Sequence, residues 1–435
     1  MLEFVGIAIL LAFVGISIAL HELGHMIPAK KFGVRVPEYA IGFGPTIFEW
    51  TRGETTYRIR LLPVGGFIRM VGMYLPERAD GKRVGGKFAR IIEQAREMAA
   101  EEMQPGDEKR TFTSLSVPKR LVIMIAGPFM NLVIAFVLFG VMFSAIGIPQ
   151  PGQAISNVYR CVPTYEDQQG KGTLAGCGSA GFTTAYLLGL REGDMLVELN
   201  GQSVTTFEKL REVLDTMQKG DSVSLTVRGT DGELRSGTAP LAMITMPEFD
   251  DKGNRTGEET SFTFLGVSRG LDLVTQPLTT VPAEMWGMVQ QSVSSLMSFP
   301  ARLLELANVL VSGGERAADG PVSVVGVSRL SGEIAASDQE LEMKALQITS
   351  LAASLNLFLF IFNLLPFLPL DGGHAAGATW EGIRRTWNRL RSRPDRGPFD
   401  TARLLPLTSI VTFFLIAAGA IVIIADIFKP ISLGL

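Results

Sequence analysis

His21, Glu22 and His25 occur in the sequence HELGH, and their types and spacing predict metal chemistry. On a helix, side chains four positions apart lie on the same face, so both imidazoles can bind one zinc ion. Glu22 lies beside them, where its carboxylate can take a proton from an attacking water molecule. The alternative is that His21 and Glu22 only mark the boundary between membrane and water. The spacing favours the zinc site.

A catalytic zinc site usually has three protein ligands and one open position, so a further ligand is needed. Asp371 comes directly after an apolar run in the sequence NLLPFLPLDGGH (363–374). Gly372 and Gly373 follow it and permit a close approach of backbone. The alternative for Asp371 is an acid at the end of a helix. His374 is the last of three histidines in the chain, and we expect it to support the site or the fold rather than bind metal.

The elements that must position these residues are predicted to be membrane helices. Hydrophobic residues make up 47% of the chain and its mean hydropathy is +0.27. Most of the apolar excess lies in four stretches: Phe4–Leu20, Leu121–Pro149, Leu351–Leu370 and Leu404–Ala425. Each stretch has about the 20 residues that a helix needs to cross a bilayer. The first has no preceding basic residues and no A-x-A-like site after it, so we interpret it as a retained helix.

Basic residues between the stretches predict the topology. Arginine and lysine are frequent in the segments that join the first stretch to the second and the third to the fourth. Such residues favour the cytoplasm, so both termini are expected outside. The long acidic segment after the second stretch is then exterior, and it contains the only two cysteines, Cys161 and Cys177. A disulfide and two separate thiols both remain open.

Between the predicted spans the pattern changes several times along the chain. Val36–Met70 predicts strands, because apolar and polar residues alternate in Thr46–Trp50 and Thr55–Arg60 within it. Lys87–Met103 has apolar residues at helical spacing and predicts an amphipathic cytoplasmic helix. Gln150 to about Gly270 is expected to form a separate exterior domain. Ala283–Leu310 predicts a helix, either at the outer membrane surface or packed on the exterior domain as a connector.

Three motifs in order along the chain resemble the site-2 metalloprotease family, and its bacterial regulator-of-sigma-E protease (RseP-like) branch in particular. They are HELGH, AGPFMN at Ala126–Asn131, and NLLPFLPLDGGH. The resemblance covers nearly the whole chain. It implies that His21, His25 and Asp371 bind zinc, that Glu22 is the catalytic base, and that Asn363 helps to hold substrate or the developing oxyanion.

The same resemblance assigns roles outside the metal motif. Gly42, Phe43 and Gly44 belong to a stretch similar to the family's membrane-associated β element, which pairs with an unwound substrate segment. Gly320–Gly326 resembles another family segment on the exterior side. The stretch Leu188–Asp194, with Leu199–Gly201 after it, is typical of a PDZ domain. The alternative for it is another small β-rich domain with a glycine turn.

The expected fold is therefore a polytopic α-helical membrane protein with four transmembrane helices, a membrane-associated β element and one inserted extracytoplasmic PDZ domain. We divide the chain into a first membrane part (1–149), the PDZ domain (150–275), exterior membrane-surface helices (276–344) and a second membrane part (345–435). The expected location is a bacterial inner or plasma membrane.

The expected function is zinc-dependent hydrolysis of peptide bonds in or near the spans of single-pass membrane proteins, such as anti-sigma factors. The partners are these substrates and the lipid bilayer, and no nucleic acid. One alternative is a membrane PDZ scaffold without catalysis, which would have no need of Glu22. Another is a metal transporter, but the repeated halves usual in transporters do not occur in the sequence.

Overall fold

The computed structural model describes residues 1–74, 89–162, 164–168, 171–175, 181–218, 220–249, 255–314, 316–317, 320–395 and 397–431. Predictions for Lys87 and Cys177 concern residues outside these ranges. The chain divides into two compact units. Unit 1 consists of Met1–Ile146 and Thr275–Leu435, and unit 2 is Gly147–Val274.

Unit 1 is mainly helical, with one β hairpin. Its strands are β1 (Glu38–Arg52) and β2 (Thr55–Arg69). Its helices are α1 (Leu2–Lys31), α2 (Ala89–Glu101), α3 (Val117–Gly140), α6 (Val281–Ser312), α7 (Val324–Ala336), α8 (Leu341–Asn363), α9 (Asp371–Leu390) and α10 (Leu405–Phe428). The predicted strands in Val36–Met70 are confirmed, and the helix predicted over Lys87–Met103 is present as α2 over Ala89–Glu101.

Four helical segments in the described residues are long and apolar enough to cross a membrane: Leu2–Lys31, Val117–Ile146, Leu341–Asn363 and Thr401–Phe428. They correspond in order to the four predicted spans. The second includes a wider helical turn, Val141–Ile146, after α3. In such a span every backbone hydrogen bond is made inside the helix, as the absence of water in a bilayer requires.

The third span differs from its predicted bounds. The expected stretch was Leu351–Leu370, but α8 begins at Leu341 and ends at Asn363. Pro366 and Pro369 follow, and proline has no backbone N–H to continue a helix. The residues between Asn363 and Asp371 are therefore not helical, and a separate helix, α9, starts at Asp371.

The β hairpin folds back beside α1. β1 and β2 are antiparallel, and β1 pairs with both ends of β2, since Glu38 lies opposite Thr56 and Arg69. A small apolar core surrounds the end of α1. Its side chains come from α1, the loop after it, β1, the turn before α3 and α3 itself, and they include Met26, Val34, Val36, Tyr39, Phe112 and Ile123. This core fixes the hairpin next to the last turns of α1.

Unit 2 is built on an antiparallel sheet. Its elements are β3 (Ile148–Val158), β4 (Thr164–Gln168), β5 (Lys171–Ala175), α4 (Thr184–Leu187), β6 (Met195–Leu199), β7 (Gln202–Ser203), α5 (Phe207–Leu214), β8 (Ser222–Arg228), β9 (Leu234–Pro240), β10 (Ala242–Phe249), β11 (Arg255–Phe264) and β12 (Val267–Val274). The main sheet has the order β12-β3-β6-β8-β9, with β7 paired to β6. Leu199, Leu210 and Leu225 are among the buried side chains between sheet and α5.

Candidate metal centre and active site

The last turns of α1 bring His21 and His25 together on one face. Their ring centroids are 4.9 Å apart. Their Nε2 atoms are 3.2 Å apart. His25 is buried and His21 is partly buried. The helical spacing predicted from HELGH is therefore present, and both Nε2 atoms are directed to one point.

Asp371 reaches the same point from the start of α9. Its Oδ2 lies 3.2 Å from Nε2 of His21 and 3.2 Å from Nε2 of His25. The turn before it is tight, because a Cβ on Gly372 would lie 2.3 Å from the carbonyl oxygen of Leu365. Only glycine fits there, so the residue after Asp371 helps to fix the position of the carboxylate.

These three ligand atoms fit a zinc ion. Each pair of them is separated by 3.2 Å. Ligands bound at about 2.0–2.1 Å in a tetrahedral site lie roughly 3.3 Å from one another. The three atoms thus match one face of a zinc tetrahedron, and the donor set of two imidazoles and one carboxylate is one that zinc accepts. In the described residues, this is the group of histidine and acidic side chains that could hold a metal.

α3 supports His25 from behind. Nδ1 of His25 lies 2.7 Å from the carbonyl oxygen of Ile123, to which it can donate a hydrogen bond. That proton on Nδ1 leaves the lone pair on Nε2 for a metal. Gly127 makes the close approach possible, because a Cβ there would lie 2.0 Å from Nε2 of His25. The motif AGPFMN therefore supplies space for the imidazole.

Asn131, in the same motif, contacts the other histidine. Its side-chain nitrogen Nδ2 lies 3.1 Å from Nδ1 of His21. Its Oδ1 is buried and has no hydrogen-bond partner in the described part of the chain. A half-turn of the amide keeps its shape and directs Oδ1 to Nδ1. Sequence reasoning gave Asn131 no role, although a buried polar side chain within an apolar span is itself an indication of function.

Glu22 lies between α1 and the hairpin. It is buried, and its carboxylate receives a backbone hydrogen bond from Ile68. A Cβ on Gly66 would lie 3.0 Å from Cγ of Glu22, so β2 runs directly against this side chain. Gly66 pairs in turn with Ile41 of β1. The base predicted from HELGH is thus bordered by strand backbone.

Gly42, Phe43 and Gly44 lie one strand away, in β1. Gly42 and Gly44 both have φ of +86°, a conformation that favours glycine. The Phe43 side chain is exposed. In the described part of the chain, none of these three residues forms a hydrogen bond or a ring contact with either histidine. The link is indirect, through the pairing of β1 with the part of β2 that touches Glu22.

Asn363 and His374 lie on either side of the turn that leads to Asp371. Asn363 is the last residue of α8, and its side chain has no hydrogen bond to another described residue. His374 is on the first turn of α9, and its Nδ1 is buried without a partner in the described ranges. His374 is not one of the three residues whose ligand atoms lie within 4.8 Å of one another.

Comparison with known proteins identifies the family. The model of Peptidase family M50 matches residues 9–393. The zinc metalloprotease Rip1 of Mycobacterium tuberculosis is 29% identical over 407 residues, which cover 91% of this chain and 90% of the relative. Rip1 of Mycolicibacterium smegmatis is 28% identical over 412 residues, with the same coverage.

A third relative is less similar in sequence. The zinc metalloprotease RasP of Oceanobacillus iheyensis is 24% identical over 402 residues, which cover 80% of this chain and 83% of the relative. A match across most of the chain to peptidases excludes the scaffold without catalysis and the metal transporter. The chain therefore belongs to Peptidase family M50, the site-2 proteases, and is a membrane zinc metalloprotease.

Proposed function

We propose that the enzyme cleaves single-pass membrane proteins, anti-sigma factors among them, at peptide bonds in or beside their membrane spans. The observation that carries this proposal is the position of the three proposed zinc ligands. His21 and His25 lie in the last turns of one candidate span, and Asp371 follows another after a short turn. Peptide bonds that reach such a site belong to chains that are themselves in the membrane.

His21, His25 and Asp371 hold the zinc ion in this proposal. Their ligand atoms are close enough to share one ion, and α3 holds the far nitrogens of both histidines. Ile123 accepts a hydrogen bond from His25, and Asn131 does the same for His21 when its Oδ1 is directed to Nδ1. When bound, zinc supplies a Lewis acid that polarises a carbonyl and acidifies water.

Glu22 performs the proton transfers. Glu22 lies on α1 between the two histidines, so the same helix fixes the position of its carboxylate. It takes a proton from the attacking water and gives it to the nitrogen of the leaving amine, which is general base and then general acid catalysis. The backbone of Ile68 holds the carboxylate on the hairpin side.

A helical substrate must unwind before it can be cut, because its backbone carbonyls are bonded inside the helix. The hairpin beside Glu22 offers strand backbone for pairing with an extended segment, in the mode of strand addition. We assign Gly42, Phe43 and Gly44 to this pairing. Asn363 precedes the non-helical turn before Asp371, where its amide can donate to a substrate carbonyl.

Unit 2 is proposed to be a single PDZ domain that selects substrates. Leu188–Asp194 leads into β6, and Asp194 is buried in an ion pair with Arg235. A groove of about 1000 Å³ lies between α5 and the start of β12, and β12 is an edge strand. An extended peptide end can add to such an edge. In this proposal unit 2 and both chain termini are outside a bacterial cell membrane.

Mapping of the cut bond tests the proposal. The purified enzyme is placed in a bilayer with a single-pass protein, either intact or already shortened on its outer side, and products are identified by mass spectrometry. We expect cuts within the span or a few residues from it, faster for the shortened form, and none after chelation. Cuts confined to soluble loops would contradict the proposed substrate class.

A further inference from the structure

One face of α9 carries an apolar stripe that no described element covers. Trp380, Ile383, Trp387 and Leu390 are spaced by three or four residues, which places them on one side of the helix. Each is between 50% and 77% exposed. The opposite side of α9 is buried, with Glu381 and Asn388 turned inward. An exposed stripe of this kind marks a contact surface.

The stripe lies at the level where a span begins. Gly382 of α9 packs on Val117, since a Cβ at Gly382 would lie 3.2 Å from the side chain of Val117. Val117 is the first residue of the candidate span Val117–Ile146. The end of α9 therefore lies at the boundary between membrane and water, where tryptophan is favoured.

The second half of α9 and the residues just after it are rich in arginine. Between Gly382 and Pro394 the sequence has five arginines and no Asp or Glu. Two of them are used inside the fold, since Arg384 donates to the carbonyl of Gly397 and Arg385 pairs with Glu381 and Asp395.

The remaining three are available at the surface. The Arg391 guanidinium lies 4.2 Å from the ring centroid of Trp387. Arg389 and Arg393 are exposed and have no carboxylate partner in the described part of the chain. These three residues, Arg389, Arg391 and Arg393, are called the arginine cluster below. Its charge is next to the apolar stripe, and both belong to one helix end.

We propose that this end of α9 binds anionic phospholipid headgroups, with the stripe inserted among the acyl chains and the arginine cluster on the phosphates. Guanidinium groups bind phosphate oxygens in a fork, and basic residues next to a span gain attraction from anionic lipid. The stripe alone would bind any bilayer. The arginine cluster makes binding stronger to a bilayer with a negatively charged surface.

The same contact reaches the catalytic site through one helix. Asp371 is the first residue of α9, so lipid binding at the other end holds the helix that presents this carboxylate. This link to catalysis rests on the proposed function, whereas the lipid contact does not. We expect anionic lipid to raise the cleavage rate, because it holds Asp371 more firmly beside His21 and His25.

Fluorescence quenching in reconstituted full-length protein tests the lipid contact. The chain has four tryptophans, and Trp50→Phe with Trp286→Phe leaves only the two on α9. The vesicles contain equal parts of phosphatidylcholine and phosphatidylglycerol, with bromine on one lipid or the other. We expect brominated phosphatidylglycerol to quench more strongly, with a preference that falls roughly tenfold or more in Arg389→Gln/Arg391→Gln/Arg393→Gln.

A matched control removes the same charge elsewhere, with Arg191→Gln/Arg211→Gln/Arg228→Gln in unit 2, and should keep the preference. In the protein that keeps its native arginines, added salt screens their charge and should weaken the preference. Equal quenching by both lipids, or no quenching by either, would overturn the proposal. Chemical crosslinking of the stripe to a second copy of the chain would also overturn it, because the stripe would then contact protein and not lipid. A preference without any change of cleavage rate would overturn only the link to Asp371.

Discussion

His21 and His25 are each held at the ring nitrogen that is turned away from Asp371. The partner of His25 is the carbonyl oxygen of Ile123 at 2.7 Å, and the partner of His21 is the Asn131 amide at 3.1 Å. A hydrogen bond at one ring nitrogen decides which nitrogen is free for metal. At the residue scale, the metal affinity should therefore depend on α3 as well as on HELGH.

Asn131→Leu should lower zinc affinity by roughly ten- to a hundredfold, because His21 loses the partner that orients it. Asn131→Asp keeps an acceptor oxygen and should retain most of the affinity. Competition with a chromophoric chelator measures both, and the spectrum of the cobalt-substituted protein reports the ligand geometry.

Asn356→Leu is the matched control for this prediction. Asn356 is equally buried in a span, but its amide donates to Ala352 of its own helix. Its replacement should leave zinc affinity unchanged. Native affinity in Asn131→Leu, or an equal loss in Asn131→Asp, would show that an acceptor at this position does not hold His21.

At the scale of elements, α3 and α9 are joined by a buried ion pair that lies along the helix from Asp371. Arg120 donates to Glu381, and both side chains are almost wholly buried. Arg385 lies 3.0 Å from the same carboxylate, and the backbone N–H of Phe399 donates to its other oxygen. Since α3 also carries Ile123 and Asn131, one helix braces all three metal-binding side chains.

Glu381→Ala should destabilise unit 1 by about 3–5 kcal/mol, because it leaves Arg120 buried without its partner. We also expect weaker zinc binding, since α9 is then free to move Asp371. Thermal unfolding in detergent and zinc content measure the two effects. Asp215→Ala removes one member of an exposed pair with Arg211 and should cost at most about 1 kcal/mol. Similar losses in both variants would contradict a bracing role for Glu381.

Local patterns predicted the elements better than their partners. HELGH gave the face of α1 that carries both histidines, and the prolines after Asn363 indicated where backbone leaves the helix. The end of α8 was nevertheless placed too late, because an apolar composition continues through the turn. Trp380, Ile383 and Trp387 already have helical spacing, so α9 was predictable from the pattern.

Contacts between distant segments could not be predicted in the same way. Gly127 on α3 faces His25 on α1. That a side chain at position 127 would collide with His25 is evident only when the two helices are packed together. The same holds for Asn131 and for the pair of Arg120 with Glu381. Periodicity specifies which face of a helix is apolar, but it carries no information on which residue of another helix lies opposite.

At the scale of the whole molecule, unit 2 is inserted into unit 1 at neighbouring points. Its first and last strands pair, with Ile148 opposite Val274. Just outside it, the backbone N–H of Gln276 donates to the carbonyl of Phe143 at 2.8 Å. The two chain ends left by removal of unit 2 are thus close together.

Replacement of Gly147–Val274 by a short glycine linker should leave zinc content unchanged, because the proposed ligands all belong to unit 1. We expect the shortened enzyme to cut substrates with large exterior parts that the intact enzyme rejects. Matched substrates with long and short exterior parts measure this preference in both enzymes. An unchanged preference would show that unit 2 does not select substrates and would favour a partner-binding role.

The zinc content and cleavage rate of purified Glu22→Gln test the assigned chemistry most directly, with Asp371→Ala as the comparison. Glu22 acts on the proton without binding the metal, so Glu22→Gln should keep native zinc content and lose roughly a hundredfold or more in rate. Asp371→Ala should lose both zinc and activity, since it removes one ligand. Native cleavage by Glu22→Gln, or native zinc content and cleavage in Asp371→Ala, would contradict this active site.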